Sequence, residues 1–152
     1  MKINEGATYD FDLKGACIYH AGPIVRINDK GYSLISCGPT TSNRMTDLED
    51  EFLLKTQAKI LIGKGGMGKK VEDACKKYKC IHCAYPGGCG VLASQMIEKV
   101  EDVRFLELGM AEALWKFKVK EFGPLVVSID TLGNNLFENN KKKFTEKRNE
   151  LK

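Results

Sequence analysis

The spacing of apolar positions divides the chain into short strands separated by a few helices. Gly15 to His20 is a run of small and apolar residues that reads as one buried strand, and Ala21-Gly22-Pro23 closes it. Ile24 to Ile27 is a short extended piece. Asn28-Asp29-Lys30-Gly31 has turn chemistry, and Tyr32 to Cys37 returns from it. Lys59 to Ile62, Lys79 to Ala84, Val103 to Leu106 and Leu125 to Ile129 read as further apolar strands. Trp115, Phe117 and Val119 alternate with Lys116, Lys118 and Lys120, which is the period of a half-buried strand. Residues 1–13 read as irregular, with Phe11 and Leu13 as points of attachment.

Helical spacing appears between these runs. Thr46-Asp47-Leu48-Glu49 has the form of a capping box, and Asp47, Glu49, Asp50 and Glu51 crowd a first turn, where the dipole favours acid. Leu48 and Phe52 share a face, so a helix is predicted to about Gln57. Val71, Ala74, Cys75 and Tyr78 follow the i, i+3, i+4, i+7 pattern of a second helix. Cys89, Leu92, Ala93, Met96 and Val100 predict a third. Gly109 to Ala113 suits one helical turn, and Asp130 to Asn135 turns the chain. Leu136 to Lys152 is amphipathic through Phe137, Phe144 and Leu151, with 138–152 a charged C-terminal helix or tail. Strands alternating with helices predict an α/β fold with a parallel sheet and helical crossovers. Residues 1–152 read as a single domain.

Composition narrows the function classes. A chain of 152 residues with 43% hydrophobic and 29% charged residues has an ordinary globular composition with enough length for a core. The net charge of +4 comes from lysines spread along the chain, without an RNP-like or zinc-finger pattern, so no nucleic-acid partner is expected. No apolar run approaches membrane-spanning length, and Met1-Lys2-Ile3-Asn4-Glu5 lacks the apolar core of a leader. A cytoplasmic protein with reduced thiols is therefore expected.

Three stretches carry candidate chemistry. Cys37-Gly38-Pro39-Thr40-Thr41-Ser42-Asn43-Arg44-Met45 places Gly-Pro before three hydroxyls and an arginine. Pro39 suits a first helical turn, so free N–H groups, the helix dipole and the guanidinium of Arg44 would form a small anion site. A plain capped helix with an exposed arginine is the alternative. Gly63-Lys64-Gly65-Gly66-Met67-Gly68-Lys69-Lys70 comes close to a P-loop between strand and helix, but Lys70 stands where a magnesium-binding hydroxyl belongs. A glycine-rich turn, or a loop that brings Lys64 to a small anion, fits as well. Cys80-Ile81-His82-Cys83, then Cys89, has the form of a zinc or iron–sulfur start without a fourth ligand at usual spacing. Buried free cysteines are the other reading.

Taken together these stretches resemble one family, the β subunit or C-terminal domain of iron–sulfur class I fumarases and L(+)-tartrate dehydratases. The resemblance rests on Tyr19-His20-Ala21-Gly22-Pro23, Gly38-Pro39-Thr40-Thr41-Ser42-Asn43-Arg44-Met45, Ile62-Gly63-Lys64-Gly65, Gly87-Gly88, Val100-Glu101 to Ala113-Leu114-Trp115, and Ile129 to Phe137. It runs from about Leu13 to Phe137. It implies a swivelling β/β/α domain and a hydro-lyase that adds water to, or removes it from, a small dicarboxylate. It implies Thr40 as the residue that takes the proton from the substrate carbon, and Thr41, Arg44 and Lys64 as carboxylate ligands. A [4Fe-4S] cluster is expected in a partner α subunit, with none in this chain, and the cysteines match no cluster ligands of this part of the family. The expected partners are that α subunit and the dicarboxylate; a homo-oligomer stays open. Only about a dozen residues precede the match, without the arginine-bearing segment of the family's β chains. Either a partner supplying that part or a loss of full hydratase competence is the resulting expectation. The runner-up is a stand-alone, non-catalytic small-anion-binding domain.

Overall fold

The structure is a computed structural model that describes residues 11–29 and 31–151. In chain order the elements are β1 (Cys17–Tyr19), β2 (Ala21–Asn28), β3 (Gly31–Pro39), α1 (Glu49–Thr56), β4 (Ile60–Gly63) and α2 (Lys69–Tyr78). They continue with β5 (Ile81–Ala84), α3 (Gly90–Gln95), β6 (Ile97–Arg104), β7 (Leu114–Val119), β8 (Val126–Ile129) and α4 (Leu136–Glu150). The central sheet has the order β1-β4-β5-β8. Its first three strands are parallel, and β8 runs antiparallel to β5. Two antiparallel hairpins, β2-β3 and β6-β7, complete the mixed α/β fold.

Alternation along β4 separates two cores. Leu61 points to a cluster built from Phe52 and Leu53 of α1, Val71, Ala74 and Cys75 of α2, and Ile129 of β8. Ile60 and Ile62 point the other way, toward Cys83, Tyr85 and Ala93. Side chains of period two on a strand buried on both faces require this division. Phe11 and Leu13 attach the start of the described chain to the first cluster. On the second side Tyr19, Tyr85 and Phe122 form an aromatic group with centroids 5.1–6.4 Å apart. Here α3 packs on β3 through two glycines: a Cβ on Gly90 would fall 3.1 Å from the Gly38 nitrogen.

Three local expectations are corrected. The third helix stops at Gln95, and residues from Ile97 onward form β6 against β7. The helical spacing through Val100 is misleading because Val91 and Leu92 are 61% and 57% exposed, whereas Ile97 and Val100 are buried as strand residues. The capping box is not made: Leu48 is the N-cap without a side-chain bond, and the Thr46 hydroxyl donates to Asn43 Oδ1 instead. The sheet is mixed rather than parallel, since β8 enters from the β6-β7 side without a helical crossover.

The C-terminal run is the helix α4, with no buried residue along its length. Its anchor is Asn135, 3% exposed. The Asn135 Oδ1 accepts from the backbone of Phe137 and Glu138, while Nδ2 donates to the Met67 carbonyl and to Glu72 at 2.9 Å each. Among the described residues no helix is long and apolar enough to cross a membrane.

Candidate active site

Backbone pairing continues beyond the ends of β3 and β4, and this brings the candidate residues together. The Thr40 N–H donates to the His20 carbonyl at 2.7 Å. Lys64 N–H donates to the Thr40 carbonyl at 3.0 Å, and Ser42 N–H to the Lys64 carbonyl at 3.2 Å. Thr41 and Lys64 thus form a parallel bridge across two segments distant in sequence. Thr40 and Thr41 are half-buried, and Arg44 and Lys64 are exposed. Neither cation has an ion-pair partner among the described residues. The Lys64 stem runs over Gly87, where an added Cβ would meet its Cδ at 3.5 Å.

This pairing corrects the expected helix N-terminus. Pro39 is the last residue of β3, opposite Ala21, rather than the first residue of a helix. The amides of Thr40 and Ser42 are spent on strand-like bonds. A single 3-10 turn, Ser42–Met45, comes next and carries Arg44. What the structure offers an anion at the expected site is therefore hydroxyls and two exposed cations, without a helix dipole.

Directly beneath lies a chain of buried polar side chains that sequence reasoning passed over. Glu49 Oε1 is 2.9 Å from His20 Nε2. His20 Nδ1 is 3.1 Å from Ser42 Oγ, which is 3.0 Å from His82 Nε2. His82 Nδ1 is 2.5 Å from Ser128 Oγ. All five residues are buried. Burial, aided by the neighbouring His20, pushes the His82 imidazole down to about 4, so it is neutral at physiological pH. Each residue has an ordinary local explanation: Glu49 as a dipole partner, His82 as a metal-ligand candidate, and Ser128 as one more position in an apolar strand. The signal available was two histidines among otherwise apolar residues, His82 within β5 and His20 between β1 and β2.

The other two stretches fold into separate roles. In the glycine-rich loop Met67 is buried, and Gly66 lies under Phe137, where a Cβ would fall 2.9 Å from the ring. Lys69 pairs with Asp73 and Lys70 with Asp47, both at 2.5 Å. Neither ammonium is turned to a phosphate cradle. In β5, Cys83 joins one core while Cys80, just before the strand, joins the other, 3.6 Å from the Cys75 sulfur. Both His82 nitrogens are held by serines. Burial pushes the Cys83 thiol up, the reverse of what a thiolate ligand needs, and the Cys80 thiol is pushed down by its contact with Cys75, a cysteine of the same buried core. Among the described residues no three metal-ligating side chains converge. The cysteines of this chain do not fit as a set of iron–sulfur cluster ligands.

An apolar cleft of about 600 Å³ opens elsewhere, between the sheet and the β6-β7 hairpin, against Tyr19, Ile62, Trp115, Phe117 and Phe122. None of Thr40, Thr41, Arg44 and Lys64 lines it.

The family profile described as Fumarase C-terminus matches residues 1–140. The chain belongs to this family. It is 52% identical over 141 residues to the L(+)-tartrate dehydratase subunit beta of Escherichia coli (strain K12), covering 93% of this chain and 70% of that protein. A Methanocaldococcus jannaschii protein provisionally named L(+)-tartrate dehydratase subunit beta is 45% identical over 99% of this chain and 77% of its own length. A Geobacillus stearothermophilus protein provisionally named class I fumarate hydratase is 37% identical over 93% of this chain, which spans 27% of that longer protein. In the Fumarase C-terminus family this fold is thus found both in proteins named as separate subunits and as part of a longer chain.

Proposed function

We propose that this chain is the β-type component of a hydro-lyase that reversibly hydrates or dehydrates a small dicarboxylate, of the fumarate/malate or tartrate kind, in complex with a cluster-binding α subunit. The observation that carries this reading is the backbone pairing of Thr40–Ser42 with Lys64, which brings two threonines and a lysine without an ion-pair partner among the described residues to one place in the fold, with Arg44 in the 3-10 turn that follows. The kinship with subunits named for tartrate dehydratase supplies the reaction class.

In this reading Arg44, Lys64 and the Thr41 hydroxyl hold the two carboxylates, the guanidinium in its bidentate geometry. Fixing both ends of a four-carbon acid aims one C–H bond at the Thr40 oxygen. A threonine hydroxyl is a weak base in water. It serves better when desolvated beside cations that stabilise the alkoxide, and closure of the partner over the site would give both conditions. A [4Fe-4S] cluster held by the partner would act as Lewis acid on the departing or entering oxygen. The reducing cytoplasm suits such an assembly and the reduced cysteines of this chain.

The test is anaerobic co-expression with a cluster-binding α subunit of the family, with assays on L-tartrate, malate and fumarate. Turnover that needs both chains is the expected result. Turnover by the isolated chain, or full turnover in a Thr40→Ala complex, overturns the proposal.

A further inference from the structure

One arrangement of protons makes every contact of the buried polar chain a hydrogen bond, the 3.1 Å contact of Ser128 with the His82 carbonyl included, and each assignment fixes the next. A carbonyl oxygen only accepts, so the Ser128 hydroxyl spends its hydrogen on the His82 carbonyl at 3.1 Å. The contact from Ser128 Oγ to His82 Nδ1 at 2.5 Å must then be a bond donated by Nδ1–H. His82 is neutral, held low by burial, so its Nε2 carries no hydrogen and accepts. Ser42 Oγ donates to that nitrogen across 3.0 Å, and its own hydrogen is spent. Ser42 Oγ can therefore only accept from His20 Nδ1, 3.1 Å away, which must bear hydrogen. His20 Nε2 and Glu49 Oε1, 2.9 Å apart, then hold a single proton between them, as imidazolium with carboxylate or imidazole with carboxylic acid. Either way the pair is net neutral.

The surroundings require that proton. Glu49 is 3% exposed, and its Oε2 is buried without a hydrogen-bond partner among the described residues. Losing the proton would leave one negative charge with an unsatisfied oxygen in the core, which is costly. The other titratable groups facing the pair are His82 of β5 and the thiols of Cys75 and Cys80, none of which carries a positive charge to offset it. The order carboxylate, imidazole, serine is that of a hydrolytic triad. Here Ser42 is 0% exposed and its hydrogen points to His82, so it is no nucleophile.

We propose that Glu49, His20, Ser42, His82 and Ser128 form a one-proton, net-neutral strut that positions the Thr40–Thr41 backbone for the reaction, an inference that rests on the hydro-lyase reading of the site. The strut meets the site twice. His20 accepts the Thr40 N–H through its carbonyl, and Ser42 binds the Lys64 carbonyl through its amide. His20 and Glu49 are positioning residues and touch no substrate. The chain ends at a backbone carbonyl, so it does not conduct protons to solvent. Its consequence is mechanical: a change that leaves His20 Nε2 without its partner loosens the Ser42 turn, and turnover falls.

Two measurements test this. The first is two-bond proton–nitrogen NMR of the full chain with labelled histidines. His82 is expected as the Nδ1–H neutral tautomer at neutral pH, with Nδ1 of His20 protonated. An Nε2–H His82 overturns the strut, whatever the activity. The second is steady-state turnover by the complex with its α partner, for the parent chain, Glu49→Gln and Glu49→Ala. Glutamine can donate an amide hydrogen to His20 Nε2, whereas alanine leaves that nitrogen without its partner. Glu49→Gln should keep kcat within about threefold, and Glu49→Ala should lower kcat by roughly tenfold or more with KM little changed. Equal kcat in Glu49→Ala and the parent overturns the positioning role and leaves the proposed function standing. A parent complex inactive on every dicarboxylate overturns the function, and the tautomers still decide whether the strut exists.

Discussion

The Cα of Gly63 faces the hydroxyl of Ser42 so closely that a methyl group on it would fall 1.9 Å from Ser42 Oγ, and 3.2 Å from both Cβ and Nδ1 of His20. Gly63 ends β4 immediately before Lys64. The position that places Lys64 is thus also the floor on which the two buried side chains rest.

Gly63→Ala is therefore expected to cost stability by overpacking, roughly 1–3 kcal/mol, because the obstructing atoms are short, buried side chains held by hydrogen bonds. Urea unfolding at neutral pH measures it. Gly87→Ala is the control: its nearest contact is the flexible Lys64 stem at 3.5 Å, so its effect should be small. Equal losses at both positions would contradict the argument.

In the complex with the α subunit, Thr40→Ala should lower kcat by far more than it raises KM, because a base acts chiefly in the transition state. Arg44→Ala and Lys64→Ala should each raise KM by roughly tenfold or more, since each removes a charged hydrogen bond to a carboxylate. Steady-state kinetics on the preferred dicarboxylate separates the two patterns. A Thr40→Ala effect confined to KM would reassign that hydroxyl to binding.

Stability should fall on mild acidification through His82. Its folded value is about 4, against an ordinary value of 6.5. Above 6.5 both folded and unfolded chains carry the neutral ring, and there is no effect. Between 6.5 and 4 the unfolded chain binds a proton that the folded one does not, so stability declines as pH falls; below 4 the decline from this group is complete. The full loss is about 3 kcal/mol. Chemical unfolding from pH 7 to pH 4, compared with His82→Asn, isolates it as a shallower slope in the variant.

Magnesium-ATP should not bind the glycine-rich loop. Lys69 is paired with Asp73, Lys70 with Asp47, and Phe137 occupies the face of Gly66. Titration calorimetry should show no magnesium-dependent heat. A micromolar affinity lost in Lys69→Ala would reverse this.

Local sequence carried the central strands well. Ile60 to Gly63 and Ile81 to Ala84 are buried on both faces, so their signal is a short apolar run that needs no partner to be read. The boundary between α3 and β6 was not legible, because it depends on pairing with β7, whose strand begins at Leu114. Of the candidate site, the residue types around Thr40 and Lys64 stood out, and sheet order supplied what the sequence lacked, the alignment of Thr41 with Lys64. The polar strut was invisible for a physical reason. His20, Ser42, Glu49, His82 and Ser128 lie on separate segments, and each becomes unusual only when burial removes water from all of them at once.

That dispersal bears on how the domain comes to be active. The bonds from Ser42 to His82 and from His82 to Ser128 close over 40 and 46 residues of chain. Contacts of such separation form late in folding, after the loops between them have lost their entropy. The network can close only when β5, β8, α1 and the turn after β3 are all in place. Local opening of any one of them takes the Thr40 backbone with it. Amide exchange at Thr40 and Ser42 would therefore track global unfolding rather than the fraying of a surface loop, and a partner subunit would meet this site only on a fully folded domain.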